Sequence, residues 1–275
     1  MRVDVRKTAK LFIGGAFVRS ESGRTFTHDQ DGEIANIALA SRKDARDAVS
    51  AARAALSAWS GKTAYNRGQI LYRLAEMIES RRSSFDAPAK EIDAAIDDIV
   101  WYAGWCDKIE QYLSTKNPVA GPHFNVSAPE PTGVVAVVAP AEPGLVGLVS
   151  AIIPALCGGN TVVAVAARAH PMLAVSFAEA VATCDLTAGA LNILTGDDEM
   201  LALQLARHMD VNAISVWTED DRLRTLVKEH AAENVKRVDA PPQLLSRDRH
   251  RGGPRSPWRI AAFMEIKTVW HPAGM

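Results

Sequence analysis

Three thiols, one glutamate and a short run of carboxylates are the side chains in this chain whose types and positions could do chemistry. Cys106, Cys157 and Cys184 are each potential nucleophiles, because a thiolate attacks carbonyl carbon once a base or cation lowers its pKa. Cys157, however, closes an apolar helix-forming stretch with no base nearby in sequence, the usual setting of a buried structural thiol. The spacing of the three matches no metal-ligand pattern, so no metal site is expected. Glu142 follows the apolar run at 133–140. If that run is a buried parallel strand, Glu142 lies near the sheet's ligand crevice and could serve as a general base. In the plainer reading it is a surface carboxylate in a proline-rich loop. Arg168 follows a second apolar run and could hold the 2′-phosphate of NADP, while His170 before Pro171 reads as a loop residue. Glu219, Asp220 and Asp221 crowd the start of a helix. Carboxylates there satisfy the helix dipole internally, in the place where an external anion could otherwise bind.

The elements that must position these groups are visible as periodicity. Residues 11–39 read as short strands and turns, punctuated by Gly14-Gly15 and Ser22-Gly23. A helix follows, with Ala45, Val49, Ala52, Leu56 and Trp59 on one stripe and Ser41 and Asp44 as a capping box. A second helix carries Ile70, Leu71, Leu74, Met77 and Ile78. A third is predicted over residues 90–113, with Ile92, Ile96, Ile99, Ala103, Cys106 and Ile109 on its apolar face. From Gly133 onward, apolar runs at 133–140, 161–166, 190–194, 212–217 and 235–238 alternate with helical segments. That alternation predicts an α/β fold with a doubly wound parallel, Rossmann-like sheet. It stops at Asp239. Residues 241–262 hold five arginines and one aspartate with prolines and Gly252-Gly253, the composition of a solvated linker, although its arginines could touch an acidic partner. The last segment alternates as a strand, with Met264, Ile266, Thr268 and Trp270 on one face and Glu265, Lys267 and Val269 on the other. A lone terminal strand must pair with the chain's own sheet or a neighbour's.

The 275 residues allow one large domain or two modest ones, with 48% hydrophobic and 23% charged residues and a formal net charge of −1. A charge so near zero excludes a general nucleic-acid or membrane-surface binder, since both need a basic field. The charged start MRVDVRKTAKLF has no apolar core, so no secretory signal is expected. The apolar stretch 133–159 is interrupted by Glu142, Pro140, Pro143 and Pro154, and reads as strand then helix, not as a membrane span. A sparse, odd set of cysteines fits the reducing cytoplasm.

Taken in order, LFIGGAFV, SRKDARDAVSAARAALSAWS, RGQILYRLAEMIESRR, PTGVVAVVAP, IPALCGGNTVVAV, GALNILTGDDE and KTVW resemble the aldehyde dehydrogenase superfamily over most of the chain. The resemblance implies a cofactor-binding domain, a catalytic domain inserted after it, and a small oligomerisation hairpin joined by the C-terminal strand. Here that implies N-terminal strands and helices over 1–117, the hairpin over 118–132, the Rossmann-like domain over 133–240, the linker over 241–262 and the oligomerisation strand over 263–275. It also implies thiol chemistry. A cysteine attacks the aldehyde, an asparagine and a backbone N–H hold the oxyanion, hydride passes to NAD(P), and a glutamate activates water.

This chain departs from that pattern at each step. Its fifth parallel run is followed by Asp239-Ala240-Pro241-Pro242, with no catalytic domain and no cysteine after Cys184, so no catalytic residue is expected. The family's P-W-N reads Pro140-Ala141-Glu142, which puts a carboxylate where an oxyanion donor belongs. Its ribose-binding lysine and glutamate match Val165 and Arg168, and its F-T-G-S turn matches Val216-Trp217-Thr218-Glu219. The pattern is similar to the shortened, degenerate second module of the two-module family-16 type. The implied reading is a non-catalytic partner of itself or of a full-length aldehyde dehydrogenase, associating through Ile266, Thr268, Val269 and Trp270. It carries no cofactor, or NAD or NADP if any. The alternative is an NAD(P)-dependent aldehyde oxidoreductase with a divergent cofactor site, active only within an assembly.

Overall fold

Gly14 and Gly15 both take positive φ, +63° and +81°, and so make the tight turn that a two-residue hairpin demands. The computed structural model that shows this describes residues 7–30, 33–240 and 255–273. The turn joins β2 (Leu11–Ile13) to β3 (Ala16–Val18). Around it lie β1 (Thr8–Ala9), β4 (Thr25–Gln30) and β5 (Glu33–Ala38), which form a three-stranded sheet of their own. Helix α1 (Arg42–Ser60) starts on the expected capping box. Ser41 Oγ accepts from the Lys43 and Asp44 amides, and the Asp44 carboxylate accepts the Ser41 amide at 2.7 Å.

After α2 (Ala64–Ser80), the helix predicted over 90–113 is broken in two. Helix α3 (Ala89–Ala103) ends at Gly104, and α4 (Ile109–Leu113) follows a turn. Trp105 and Cys106 amides bond back to Tyr102 and Ala103, three residues earlier, and this tightening ends the α-helix. The apolar period runs through the break and hides it in the sequence. Next come β6 (Thr115–Asn117) and β7 (His123–Pro131), the first of which starts ahead of the boundary set at 118.

The alternation from Gly133 gives β8 (Val134–Val138), α5 (Gly144–Cys157), β9 (Thr161–Val165), α6 (Pro171–Val181), β10 (Leu191–Leu194), α7 (Asp198–Arg207), β11 (Ala213–Val216), α8 (Asp221–Ala232) and β12 (Arg237–Asp239). The seven-stranded sheet has the order β12-β11-β8-β9-β10-β2-β3, parallel through its first five strands, which is the doubly wound sheet expected. Residues alternate between its two faces. Val135, Val137, Val162 and Ala164 pack with α5, α6, α2 and α3, while Val134, Ala136, Val163 and Val165 pack with α1, α7 and α8. No helix among the described residues is long and apolar enough to cross a membrane.

Helix α5 is the unusual element, because all of its residues are buried. The sheet covers one side, α3, α6 and α2 pack on others, and the C-terminal segment completes the cover. This corrects the linker expectation for its final part; residues 241–254 lie outside the described residues. Ser256 caps α9 (Pro257–Ala261), and Ile260, Phe263 and Met264 are buried against the body. Arg255 Nε donates to Asp98 Oδ1 at 2.8 Å, and the other oxygen of that buried carboxylate accepts from Ser150 Oγ on α5. Asn160 Nδ2 donates to the Phe263 carbonyl, and Arg237 Nη1 to the Met264 carbonyl at 2.6 Å. A helix apolar on every side must be covered, and this demand outweighs the polar composition of the segment. The chain then runs into β13 (Met264–Pro272), which pairs antiparallel with β7 along its whole length in its own chain. Beyond Met264 the strand is exposed.

Replacing Ile260 by Ala removes a fully buried side chain, which costs about 2–4 kcal/mol when a core collapses only in part. Urea unfolding of Ile260→Ala is expected to show that loss with an unchanged m value. A change within about 0.5 kcal/mol would mean that the segment is an undocked spacer.

Candidate functional site

In this sheet the crevice opens where the strand order reverses, between the parallel strands β8 and β11, at their carboxyl ends. The loops after β8, β9 and β11 carry the residues singled out in the sequence. Glu142 is largely exposed, and its Oε1 lies 2.8 Å from His170 Nε2. The pair joins the loop after β8 to the loop after β9, so His170 is more than a bystander. Sequence separation concealed this contact.

Val165 is the last residue of β9 and is fully buried, with no polar atom to offer a ligand. Arg168 lies 5.2 Å from the centroid of the Phe26 ring, and its amide donates to Asp198 Oδ2 at 3.2 Å. It lines a cleft of about 270 Å³ with Ser22, Arg24, Ser41 and Asp197. Burial pushes the Asp198 carboxyl up from its ordinary range. Arg168 and Glu142 therefore belong to different surroundings, although both lie on this edge of the sheet.

Trp217, directly after β11, is buried, and the Arg259 guanidinium of α9 stacks over its ring at 4.9 Å. Its indole Nε1 has no hydrogen-bond partner among the described residues. The chain has no glycine between Gly196 and Gly252, so no flexible turn follows β11. Glu219 stands two residues before α8, and it is Asp220 that caps the helix, accepting from the Arg222 and Leu223 amides at 2.8 and 3.2 Å. Asp221 is paired with Arg224 one turn on.

The second helix N-terminus at the crevice is also filled, by a residue that sequence reasoning missed. Helix α5 begins after Pro143 and has no side-chain cap of its own. Its Leu145 and Val146 amides donate instead to Glu91 Oε1 on α3, at 2.6 and 3.3 Å. The signal available in the sequence was negative, a helix start lacking Ser, Thr, Asp or Asn. Both N-termini that open on the crevice thus have the chain's own carboxylates where an external anion would sit.

The thiols lie elsewhere. All three cysteines are buried and free. Burial pushes Cys184 up to about 11 and Cys157 well above its ordinary value, so both stay protonated at neutral pH. No group of three or more metal-ligating side chains occurs among the described residues. Of the strand residues singled out for assembly, Thr268 turns to its own chain, bonding Ser127 Oγ at 2.8 Å, while Ile266, Val269 and Trp270 are exposed.

Residues 17–240 match the family described as "Aldehyde dehydrogenase family". The chain is 32% identical over 249 residues to cytosolic 10-formyltetrahydrofolate dehydrogenase of Mus musculus, covering 83% of this chain and 28% of that protein. It is 31% identical to aldehyde dehydrogenase, cytosolic 1, of Elephantulus edwardii, covering 83% of this chain and 49% of that protein. The NAD+ complex structure of aldehyde dehydrogenase from Bacillus cereus superposes with a TM-score of 0.79 at 25% identity, covering 85% of this chain and 50% of that one. The chain thus spans half or less of the length of these relatives.

Glu91→Ala leaves two helix N-terminal amides without an acceptor and is expected to cost about 1–2 kcal/mol. Hydrogen exchange at Leu145 and Val146 should quicken in the same variant. Glu142→Gln, at an exposed pair, should change stability by less than about 0.5 kcal/mol. The reverse order of effects would show that Glu142, not Glu91, holds this end of the sheet.

Proposed function

The chain belongs to the aldehyde dehydrogenase family, and from that premise we propose that it is a non-catalytic member, a partner subunit of a second copy or of a full-length aldehyde dehydrogenase. The observation that carries the proposal is the exposed edge of β13. In the sheet order β13-β7-β6 this strand is outermost, so half of its backbone groups have no ladder partner within that sheet. Val269 faces the same side as Val126, its partner in the register, and both are exposed, as is Phe124 beside them. Ile266 and Trp270 are exposed on the opposite side. Apolar groups on two faces of one edge sheet mark an interaction surface. Covering Ile266, Val269 and Trp270 contributes on the order of several kcal/mol, enough to matter against the entropy of association.

The absence of catalysis rests on what a thiol mechanism needs. The resemblance puts a catalytic domain between the last parallel strand and the terminal strand, and in this chain only residues 240–254 separate Asp239 from Arg255. All three thiols are buried, and burial holds Cys157 and Cys184 protonated. NAD or NADP is the cofactor to consider, since solved relatives include an NAD+ complex, but the crevice does not fit one. Trp217 fills the turn after β11, Val165 has no polar group, and Glu91 and Asp220 occupy the amides a pyrophosphate would need. A second reading, an oxidoreductase completed by an assembly, draws on the Arg24–Arg168 cleft, which offers two cations and two hydroxyls to a phosphate. A cytoplasmic location belongs to the same proposal; the mouse and Elephantulus relatives are named as cytosolic proteins.

Purified protein is expected to reduce neither NAD nor NADP with any aldehyde, and calorimetry should find no binding of either tighter than millimolar. Turnover lost on replacing Cys106, Cys157 or Cys184, or submicromolar nucleotide binding, would contradict the proposal in favour of the second reading. Sedimentation velocity should show a dimer, or a complex with an added full-length aldehyde dehydrogenase. Val269→Lys with Trp270→Glu should leave a folded monomer. A wild-type monomer indifferent to the added enzyme would remove the case for a partner subunit.

A further inference from the structure

Cys106 and Cys157 are 51 residues apart in sequence, yet their Sγ atoms lie 3.5 Å from each other. Cys106 sits in the turn between α3 and α4, and Cys157 is the last residue of α5. Both sulfurs donate towards one acceptor, the Tyr102 carbonyl, at 3.6 and 3.2 Å, so each is aimed at the same point. Cys106 also lines a cavity of about 280 Å³, together with Arg67, Gly158, Pro129, Pro131 and Met264. Arg67 is fixed there by bonds from Nη1 to the Ser60 and Lys62 carbonyls, while its buried Nε has no hydrogen-bond partner among the described residues.

We propose that Cys106 and Cys157 are an oxidisable dithiol, which a small peroxide entering this cavity converts into an intramolecular disulfide. Cys106 is the sulfur that lines the cavity, and it attacks one oxygen of hydrogen peroxide. The O–O bond breaks, the sulfur is oxidised to sulfenic acid, and the other oxygen leaves as water with the thiol proton. Cys157 then attacks the Cys106 sulfur. The S–O bond breaks, and a second water leaves with the Cys157 proton. Two thiols and one peroxide thus give one disulfide and two waters.

The geometry supports each part. An S–S bond of about 2.05 Å requires the sulfurs to close by about 1.5 Å, and Cys106 stands in the turn between α3 and α4, outside either helix. Burial, reinforced by the adjacent Cys106 sulfur, holds the Cys157 thiol protonated until it meets the sulfenic acid. A cavity of this size admits peroxide but not an oxidised glutathione, so direct oxidation is the route and thiol–disulfide exchange is not. The product would tie the α3–α4 turn to α5 beside Met264, the residue at which β13 leaves the body. The inference stands apart from the partner-subunit reading, since it needs neither a partner nor the exposed strand.

The test is made on the full reduced chain treated with hydrogen peroxide and then alkylated under denaturing conditions. Before alkylation the intact mass should be lower by two hydrogens, after it a single alkyl group should be present, on Cys184, and peptide mapping should find Cys106 joined to Cys157. Cys106→Ser and Cys157→Ser should abolish the cross-link, and Cys184→Ser should keep it. Oxidised wild type should melt at a higher temperature than reduced wild type. Complete alkylation of both thiols after peroxide would overturn the proposal. So would sulfinic acid at Cys106 without a cross-link, or a disulfide found only between chains. The wild-type mass decides the matter even if a serine variant fails to fold.

Discussion

The rest of this structure depends on covering α5. A helix with no polar face cannot meet water on any side, because each exposed aliphatic side chain forfeits about 1.5–3 kcal/mol of burial. The sheet, α2, α3 and α6 cover only part of it. The chain completes the enclosure with Ile260, Phe263 and Met264, locked by the buried Asp98 carboxylate shared between Ser150 and Arg255. Asp98 is buried, so losing either partner would leave its carboxylate short of a hydrogen bond away from water. The position of β13 follows from that lock, since the strand starts where the covering segment ends.

The same segment shapes the crevice. Arg259, one residue from Ile260, reaches over Trp217 at the end of β11. A bulky indole is tolerated there because a cation covers its face and the surrounding apolar side chains bury it. At the other strand of the switch point, Glu91 closes the N-terminus of α5 from α3. Both helix dipoles facing the crevice are therefore satisfied from within, and the sheet edge is finished as a stable surface.

The alternation of strand and helix was legible because parallel strands buried on both faces leave continuous apolar runs, as in Val134–Val138. The capping box of α1 was legible because its partners, Ser41 and Asp44, are local in sequence. What stayed hidden was long-range or masked by composition. Glu91 meets the Leu145 amide across 54 residues, and Glu142 meets His170 across 28. The end of α3 at Ala103 was invisible because Cys106 and Ile109 continue its apolar period. Residues 255–262 read as a spacer because they continue the arginine- and proline-rich run from 241, whereas one buried isoleucine and a cap decide their structure.

The central claim is that β13 offers its open edge to another chain. Hydrogen exchange along Met264–Pro272 measures this most directly, with the protein dilute, concentrated, and mixed with a full-length aldehyde dehydrogenase. Amides that bond β7 are already protected by the chain's own ladder. The account predicts that the alternate, outward amides exchange freely when dilute and become protected on association, as a second ladder forms on them. Outward amides that exchange at one rate in all three conditions would contradict it.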